Sequence, residues 1–285
     1  MAMKLSRNIF YLLIKVAIVL DAFPVLFSKN QQSEEMANRF EDDMIFPYPI
    51  TRGAAARASY QRWIDGTVPY LMTPSILADH SALIVDTMRL MENLTRVNDT
   101  DCIKFRPRTE SDSKYIIIQN STGCSATVGA GNGYQVTHYL NLMHTESLTC
   151  MISGVIQHEL LHILGFFHEQ SRPDRDSYVS IQWSNIQSNM KPNFEKYTET
   201  EIDTLQTPYD YGSIMHYSPN AFTNNGLRTI IPTKDPFASI GQRIVMSPID
   251  ILEVQRYYSC VSSSDPEKAL IATFLFIISR ISITT

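Results

Sequence analysis

The sequence predicts an α+β fold in which two lobes lie on either side of a cleft. Two segments, Thr73–Asn93 and Ile152–Leu164, carry apolar side chains at near-helical spacing and predict long helices. Two others, Tyr115–Ile118 and Gln135–Leu142, are typical of strands, so a sheet is expected beside the helices in the N-terminal lobe. The regular alternation of Gln135–Leu142 further predicts an edge strand that could pair with an extended chain.

The C-terminal lobe is predicted to be irregular. Beyond His168, proline and glycine become frequent and the periodicity fades, until a last helix is predicted at Pro248–Tyr258. Both lobes fall within residues 54–260, and about 200 residues are enough to bury one core. These residues are therefore expected to form one domain.

The segment from His158 to His168 reads HELLHILGFFH and indicates a metal site. Residues four apart share one face of a helix, so His158 and His162 can present both imidazoles to one ion while Glu159 lies beside the open coordination position. Gly165 can adopt a positive φ angle at little cost, which allows the helix to end there. The chain can then turn and bring back His168 as a third ligand.

The chemistry expected of this motif is zinc-dependent hydrolysis. Three neutral imidazoles around one Zn²⁺ ion leave a place for water, and zinc lowers the pKa of bound water from about 15.7 to about 7. Glu159 would take a proton from that water and later deliver it to a leaving amine, which indicates cleavage of a peptide bond. The alternative is a closed structural zinc site, but such sites usually have four protein ligands rich in cysteine.

A second motif, Ser213–Tyr217, reads SIMHY and places a methionine beyond the third histidine, as the metzincin pattern requires. The strings HELLHILGFFHEQSRPDRD and YDYGSIMHY together resemble the astacin family of zinc endopeptidases. The resemblance implies a two-lobed, metzincin-type protease domain in which Met215 forms the apolar floor under the zinc. It also implies that Tyr217 is a fifth, detachable zinc ligand whose hydroxyl stabilises the oxyanion. Either residue alone would more often be a packed core residue.

The four cysteines, Cys102, Cys124, Cys150 and Cys260, permit three pairings, among which spacing alone does not choose. The resemblance implies that Cys102 pairs with Cys260 and that Cys124 pairs with Cys150. Free buried thiols are the alternative, which a secretory context disfavours.

The N-terminus predicts export from the cell. Residues 1–28 combine basic residues with apolar stretches and resemble an imperfect signal peptide, since Lys15 and Asp21 interrupt the apolar core. Three glycosylation sequons, at Asn93, Asn98 and Asn120, are compatible with a secreted, extracellular glycoprotein.

Residues 29–53 are predicted to form a short propeptide. Astacin precursors carry a Phe-x-Gly-Asp string whose aspartate binds the zinc, and aligning Phe40 with its phenylalanine puts Asp43 on the metal. Asp42 stands where the family has glycine, which predicts weaker inhibition. A solvated acidic run is the alternative interpretation.

Activation is expected by cleavage near Arg52 or Arg57, because residues 60–70 resemble the first strand of the mature enzyme, and counting back from that strand puts the mature start near Ala54. The resemblance implies that the new amino terminus enters the protein and meets the residue after the third zinc histidine, here Glu169. A buried ammonium group needs such a partner to offset its desolvation.

The string Ile240–Arg243, IGQR, is similar to a segment of meprin-like and tolloid-like astacins that lines the pocket for the residue after the scissile bond. Arg243 would favour an acidic side chain there, because a guanidinium can bind a carboxylate through two hydrogen bonds. A surface arginine in a loop is the alternative.

The tail, residues 261–285, contains an apolar stretch, Ala269–Ser279, that is shorter than the roughly twenty residues a spanning helix needs. Membrane anchoring through this tail is therefore the less favoured expectation. Nothing after Cys260 resembles an EGF-like or CUB module, which predicts a minimal astacin.

The net charge of −5 and the lack of basic runs argue against nucleic acid as a partner, so protein or peptide substrates are expected. The sequence does not indicate an oligomeric state. One rival function is a catalytically silent secreted binder, which would usually have lost Glu159 or a zinc histidine. Another is a different zinc hydrolase, against which Met215 and Tyr217 count.

Overall fold

The computed structural model of the chain describes residues 43–45, 62–131 and 137–261. They all belong to Ser33–Thr285, one of the two units into which the chain divides. The predicted signal peptide, the cleavage positions at Arg52 and Arg57, the mature start at Ala54 and the tail after residue 261 lie outside the described residues, as does most of the propeptide.

The N-terminal lobe is built on a six-stranded sheet with the spatial order β1-β5-β6-β4-β2-β3. All neighbours are parallel except β5 and β6, which run antiparallel. Apolar residues in these short strands supply the sheet side of the core, as β-branched and aromatic side chains fit a pleated, half-buried surface. The strands are β1 (Met44–Ile45), β2 (Thr67–Met72), β3 (Lys104–Pro107), β4 (Ile116–Gln119), β5 (Cys124–Thr127) and β6 (His138–Leu142).

The prediction of an edge strand at Gln135–Leu142 is wrong. Strand β6 lies between β4 and β5, and its register pairs Ile118 with Leu140 on one side and Ala126 with Leu140 on the other. Alternation reports which face of a strand is buried and carries no information about whether both edges are paired. The strand that meets β1 at the margin of the sheet is β5, whose four residues are all buried.

Two long helices pack beside this sheet. Helix α1 (Ala78–Thr95) begins five residues later than predicted, because Thr73 and Ile76 form a turn that precedes it. Helix α2 (Ser153–Leu164) follows the prediction within one residue and is buried at every position after Ser153. A helix that is buried on all sides has a mostly apolar sequence. The polar residues in such a helix are expected to have a specific role.

The C-terminal lobe is irregular, as predicted. It contains a two-stranded antiparallel ribbon, β7 (Val179–Ile181) with β8 (Ile230–Pro232), and several short 3-10 turns. A second apolar cluster, centred on Phe194, Tyr217 and Phe222, gives this lobe its own core.

The last helix, α3 (Pro248–Tyr257), confirms the predicted position. Ser247 accepts hydrogen bonds from the backbone N–H groups of Ile249 and Asp250, and the Asp250 side chain accepts one from the N–H of Ser247, which completes a capping box. Pro248 at the first helical position adds a fixed φ angle suited to a helix start.

Two disulfides join the cysteines in the pairing that the resemblance implies. Cys102 and Cys260 are 158 residues apart in sequence and 5.6 Å apart between Cα atoms. Cys124, at the start of β5, and Cys150, shortly before α2, are 26 residues apart in sequence. In the chain-entropy model the longer loop contributes about 5 kcal/mol and the shorter about 3.5 kcal/mol to the free energy of unfolding.

Within the described residues, no helix is both long enough and apolar enough to cross a membrane.

Candidate active site and metal centre

The three histidines of the first motif converge on one point. His158 and His162 lie on the same face of α2, with ring centroids 4.8 Å apart. After Gly165 the chain turns back and brings the His168 ring to the same place. Its centroid lies 5.3 Å from that of His158 and 4.8 Å from that of His162. All three side chains are buried.

The end of α2 explains how His168 is brought back. Gly165 has a φ angle of 106°, a left-handed conformation that few side chains tolerate. Its N–H bonds the carbonyl of His162 and the N–H of Phe166 bonds that of Leu161, which is the Schellman pattern. Two distant side chains donate to the last carbonyl oxygens of the helix. Trp63 Nε1 donates to the carbonyl of Ile163 at 2.8 Å, and the Tyr258 hydroxyl donates to that of Leu164 at 2.9 Å.

Hydrogen bonds to the Nδ1 atoms of two imidazoles determine that their Nε2 atoms face the point of convergence. His158 Nδ1 lies 2.9 Å from the carbonyl oxygen of Ile214, and His162 Nδ1 lies 2.8 Å from that of Phe166. A carbonyl only accepts, so each Nδ1 carries the hydrogen and each Nε2 presents a lone pair. This is the arrangement of metal-binding histidines whose second nitrogen is held by a backbone carbonyl.

The Asp43 side chain reaches the same point from the residue just before β1. Its Oδ2 lies 3.1 Å from the Nε2 atoms of both His158 and His168, and its Oδ1 lies 3.6 Å from Nε2 of His162. Backbone hydrogen bonds to β5 and the residue after it hold this segment. Ala126 N–H donates to the Asp43 carbonyl, and Val128 N–H donates to that of Ile45.

This donor set fits a zinc ion. The four ligand atoms lie within 4.8 Å of one another and all four residues are buried. His162 Nε2 has no hydrogen-bond partner among the described residues. The lone pairs of the Nε2 atoms face one another and the Asp43 carboxylate in a buried place, and this arrangement needs a cation between them. Three imidazoles and one oxygen atom are typical ligands of catalytic zinc.

Glu159 follows the first zinc histidine on α2 and is fully buried. Carboxylates are almost never fully buried without a specific reason, because removing the charge from water is costly. Its place on the zinc helix, directly after His158, is where the first motif predicts a general base.

The second motif lies against the zinc helix. Met215 is buried and belongs to the core of the N-terminal lobe, together with residues of α2. Ile214, one residue earlier, supplies the carbonyl that holds His158 and donates its N–H to Asp250 Oδ2 at 3.0 Å. Asp250 Oδ1 accepts a second hydrogen bond, from the Ser213 hydroxyl at 2.6 Å. Burial raises the pKa of Asp250 to about 6, with Asp210 adding to the shift.

Tyr217 lies next to the third histidine, with its ring 4.6 Å from that of His168. Phe194 and Phe222 pack against the same ring at 5.7 Å and 5.5 Å. The Tyr217 N–H donates to Gln170 Oε1 at 3.0 Å. The structure thus places the predicted fifth ligand beside the cluster, in the core of the C-terminal lobe.

Arg243 is buried close to the same centre. Its Nη1 donates to the carbonyl oxygen of His216 at 2.9 Å. Its backbone packs against the start of α2, where a Cβ atom added to Gly154 would lie 1.9 Å from the Arg243 carbonyl oxygen. Burial lowers the pKa of His158, and the Arg243 cation lowers it further. Arg243 is therefore neither a surface residue nor distant from the histidines.

Glu169 follows the third histidine and lines a pocket together with Arg172 and Glu253. Its Oε1 accepts a hydrogen bond from Asp210 N–H at 2.7 Å and lies 3.5 Å from Arg172 Nη1. Burial raises the pKa of Glu169 well above its usual value, and the nearby Glu253 carboxylate adds to the shift. The acidic side chains that line the pocket thus outnumber its arginine.

The sequence of residues 55–259 matches the family model described as Astacin, a family of peptidases. The chain belongs to the astacin family. The membership confirms zinc as the predicted cofactor, and the converging imidazoles of the first motif form a group that could hold it.

Several known astacins are similar to this chain. Zinc metalloproteinase nas-14 of Caenorhabditis elegans is 39% identical over 224 residues, which cover 77% of this chain and 42% of that protein. Low choriolytic enzyme of Oryzias latipes is 35% identical over 246 residues, 84% of each chain. The solved structure of high choriolytic enzyme 1, a hatching enzyme zinc-protease of the same fish, has a TM-score of 0.62 at 38% identity and covers 70% of this chain and 94% of its own.

Several curated astacins are longer, and this chain spans 42% and 46% of the nematode proteins nas-14 and nas-13. The likeness to the solved hatching enzyme confirms the predicted α+β, metzincin-type fold.

The sequence does not reveal the residues that hold the backbone and side chains of this site in place through hydrogen bonds. Asp250 holds Ile214, Gln170 holds Tyr217, and Tyr209 donates to His216 Nε2 at 2.7 Å. One of them left a local signal, because Ser247 and Asp250 have the spacing of a capping box. The sequence predicts for His216 only an ordinary structural or surface position. It is buried beside the site, and burial lowers its pKa to about 4.

Proposed function

We propose that this protein is a zinc-dependent endopeptidase that hydrolyses peptide bonds in proteins or peptides. The observation that carries the proposal is the convergence of three buried imidazoles, two of them on the helix that also carries Glu159. His158, His162 and His168 would hold the zinc ion. Bound zinc supplies a water of lowered pKa and polarises a carbonyl group.

The chain's own residues perform the proton transfers. Glu159 accepts a proton from the attacking water and then, as an acid, delivers it to the nitrogen of the leaving amine. Tyr217 donates its hydroxyl hydrogen bond to the oxygen on which negative charge develops, a kind of stabilisation that is strongest in a site shielded from water. The buried aromatic surroundings of Tyr217 provide that shielding.

The test is cleavage of a mixed peptide library by protein activated by limited proteolysis near Ala54. Zinc-dependent cleavage is expected, and both a chelator and Glu159→Gln should abolish it, while the Glu159→Gln variant keeps one bound zinc. A folded, zinc-loaded chain that cuts nothing would contradict the proposal and favour a silent binding protein.

We further propose that the chain is made as a secreted zymogen in which Asp43 blocks the zinc. The contacts of Asp43 with all three histidines support this role. The full chain with Asp43→Ala should cleave peptides without prior proteolysis, whereas Asp42→Ala, one residue away, should remain latent. Asp42→Gly, which restores the family's glycine, is expected to strengthen latency. Equal activity of the full-length wild type and these three variants would contradict the inhibitory role of Asp43.

Activation is proposed to place the new amino terminus against Glu169. The excess of buried acid around Glu169 supports this, because an ammonium group would offset it. Protein beginning at Ala54 should be more stable than protein with two extra N-terminal residues, and Glu169→Gln should remove the difference in Tm between them. An unchanged difference would argue against the contact.

Secretion is supported by the two disulfides, which persist in oxidising compartments. Of the sequons, Asn98 lies in a turn closed by backbone hydrogen bonds between Val97 and Thr100. Expression in eukaryotic cells should deliver the protein to the medium, with a mass that falls on treatment with an N-glycosidase. Retention of all the protein in the cytosol would contradict secretion.

We also propose that Arg243 gives a preference for an acidic residue after the scissile bond. The closeness of its cation to His158 supports a place near the reacting groups. The measurement is the ratio of kcat/KM for paired peptides with Asp or Asn at that position. The ratio should exceed one in the wild type and fall towards one in Arg243→Gln; a ratio that does not change would remove Arg243 from this role, whatever the variant does to overall activity.

A further inference from the structure

Tyr209 and His216 form a hydrogen-bonded pair directly behind Tyr217. The Tyr209 hydroxyl lies 2.7 Å from His216 Nε2, and His216 Nδ1 lies 2.8 Å from the carbonyl oxygen of Tyr217. A carbonyl cannot donate, so Nδ1 carries the hydrogen, and Nε2 of the neutral ring accepts from the tyrosine hydroxyl. The chain of hydrogen bonds therefore runs in one direction, from Tyr209 to the backbone of Tyr217.

The hydroxyl at the start of this chain is held rigidly. The Tyr209 ring is 5% exposed and stacks on Tyr178, with centroids 4.8 Å apart and planes 8° apart. Tyr211 packs edge-on at 5.4 Å, and the Arg172 guanidinium lies 5.8 Å from the ring centroid. A side chain enclosed on several sides has one rotamer available, so its hydroxyl provides a fixed point.

Other contacts hold the backbone around Tyr217 at separate atoms. Gln170 accepts from the Tyr217 N–H, His216 binds the Tyr217 carbonyl, and Arg243 binds the His216 carbonyl. The ring, by contrast, packs against the aromatic side chains of Phe194, Phe222 and His168. Polar groups thus fix the backbone of Tyr217, whereas its ring has only aromatic neighbours among these contacts.

We propose that Tyr209 and His216 are positioning residues that set where the Tyr217 hydroxyl stands during the reaction. The inference rests on the proposed peptidase function and on the role proposed there for Tyr217. A hydroxyl that must move between the metal and the oxyanion needs a fixed pivot, because a displacement of about 1 Å can lower a rate about a hundredfold. Removing the Tyr209 hydroxyl leaves the buried His216 Nε2 without its donor and loosens that pivot.

A double-mutant cycle tests the inference in the activated enzyme. Tyr209→Phe should lower kcat about five- to twentyfold and change KM less than about twofold, since it affects the transition state more than substrate binding. In the Tyr217→Phe background the same substitution should cause no further loss, because its effect acts through the Tyr217 hydroxyl. Tyr178→Phe removes a hydroxyl from the ring stacked on Tyr209 without touching His216, and it should leave kcat unchanged.

A second measurement does not depend on activity. In copper(II)-substituted protein, a phenolate bound to the metal gives a charge-transfer absorption band, which should weaken in Tyr209→Phe and persist in Tyr178→Phe. An equal fold-loss from Tyr209→Phe in both backgrounds, or an unchanged kcat and band, would overturn the inference. A wild-type protein that cleaves nothing would instead end the proposed function, and the copper band would still decide the positioning role.

Discussion

The carboxylate of Asp250 and the backbone N–H of Ile214 are joined by a 3.0 Å hydrogen bond that links helix α3 to the second motif of the zinc site. The carbonyl of the same Ile214 holds His158 Nδ1 at 2.9 Å. One residue of the second motif therefore connects the last helix to His158 of the first motif. The orientation of His158 depends on a side chain 92 residues further along the chain, as the numbering shows.

We expect Asp250→Ala to destabilise the protein by about 2 to 4 kcal/mol, because it leaves the buried Ile214 N–H unpaired and removes half of the capping box. Ser247→Ala is the matched control. It removes the serine half of the cap and the hydrogen bond from the Ser247 hydroxyl to Asp210 Oδ2, keeps the bond from Asp250 to Ile214, and should cost about 1 to 2 kcal/mol. Denaturant unfolding of the zinc-loaded proteins measures both, and equal losses in the two variants would contradict a separate role for the bond to Ile214.

Removal of zinc should lower the Tm of the wild-type protein. Zinc binds the folded state, and a ligand at about one hundred times its Kd adds about 2.7 kcal/mol to the free energy of unfolding. His162→Ala should bind less than one equivalent of zinc and have a Tm that a chelator does not change. His144→Ala, in a half-buried histidine outside the cluster, should keep wild-type zinc content. A wild-type Tm that does not change when the chelator is added would show that the site holds no stabilising metal.

The free energy of unfolding should fall as the pH rises from about 4.5 to about 8 because of Glu253. Burial raises the pKa of this carboxyl to about 8, and neighbouring acids add to the effect while Thr207 and Arg172 oppose it. An acid whose pKa is higher in the folded state contributes fully below its unfolded pKa of about 4.5, and this contribution is lost as the pH rises through about 8.

Glu253→Gln should therefore become more stable relative to the wild type between pH 5 and pH 9, by on the order of a few kcal/mol. The free energies of unfolding of the two proteins at several pH values provide the measurement. Glu146→Gln, which changes an exposed side chain, is the matched control. A difference between Glu253→Gln and the wild type that does not vary with pH would mean that the fold does not perturb the Glu253 carboxyl.

Gly154→Ala should be poorly tolerated. The added methyl group would lie 1.9 Å from the backbone oxygen of Arg243, so the 243–244 segment must move away from α2. We expect a loss of about 1 to 3 kcal/mol or more, typical of overpacking against backbone. Gly212→Ala meets only the Asp210 side chain, at 3.3 Å, and should cost less than Gly154→Ala. Comparable Tm values for the two variants would contradict the close approach.

The convergence of the three histidines could be predicted because a helix and its terminating turn dictate their arrangement. The four-residue spacing of His158 and His162 fixes their common face, and Gly165 marks the end of the helix. Helix α3 could be predicted for a similar local reason. In each case neighbours in sequence determine the geometry.

The order of the strands and the support of the site could not be predicted in this way. Strand β6 has one pattern of side chains whether it lies at the edge or in the centre, and its neighbours β4 and β5 decide which. The bond from Asp250 to Ile214 and that from Gln170 to Tyr217 join residues that only the folded chain brings together. Tyr209 and His216 are close in sequence, yet their pairing needs the turn between them.

The short strand β1 also bears on how the molecule avoids sticking to itself. A sheet margin with unpaired N–H and C=O groups is a template for any passing extended chain, including a second copy. Here the carbonyls of Asp43 and Ile45 accept from the N–H groups of Ala126 and Val128. The protein thus pairs this edge of β5 with a short piece of its own backbone, and the same piece carries the Asp43 side chain that contacts the three histidines.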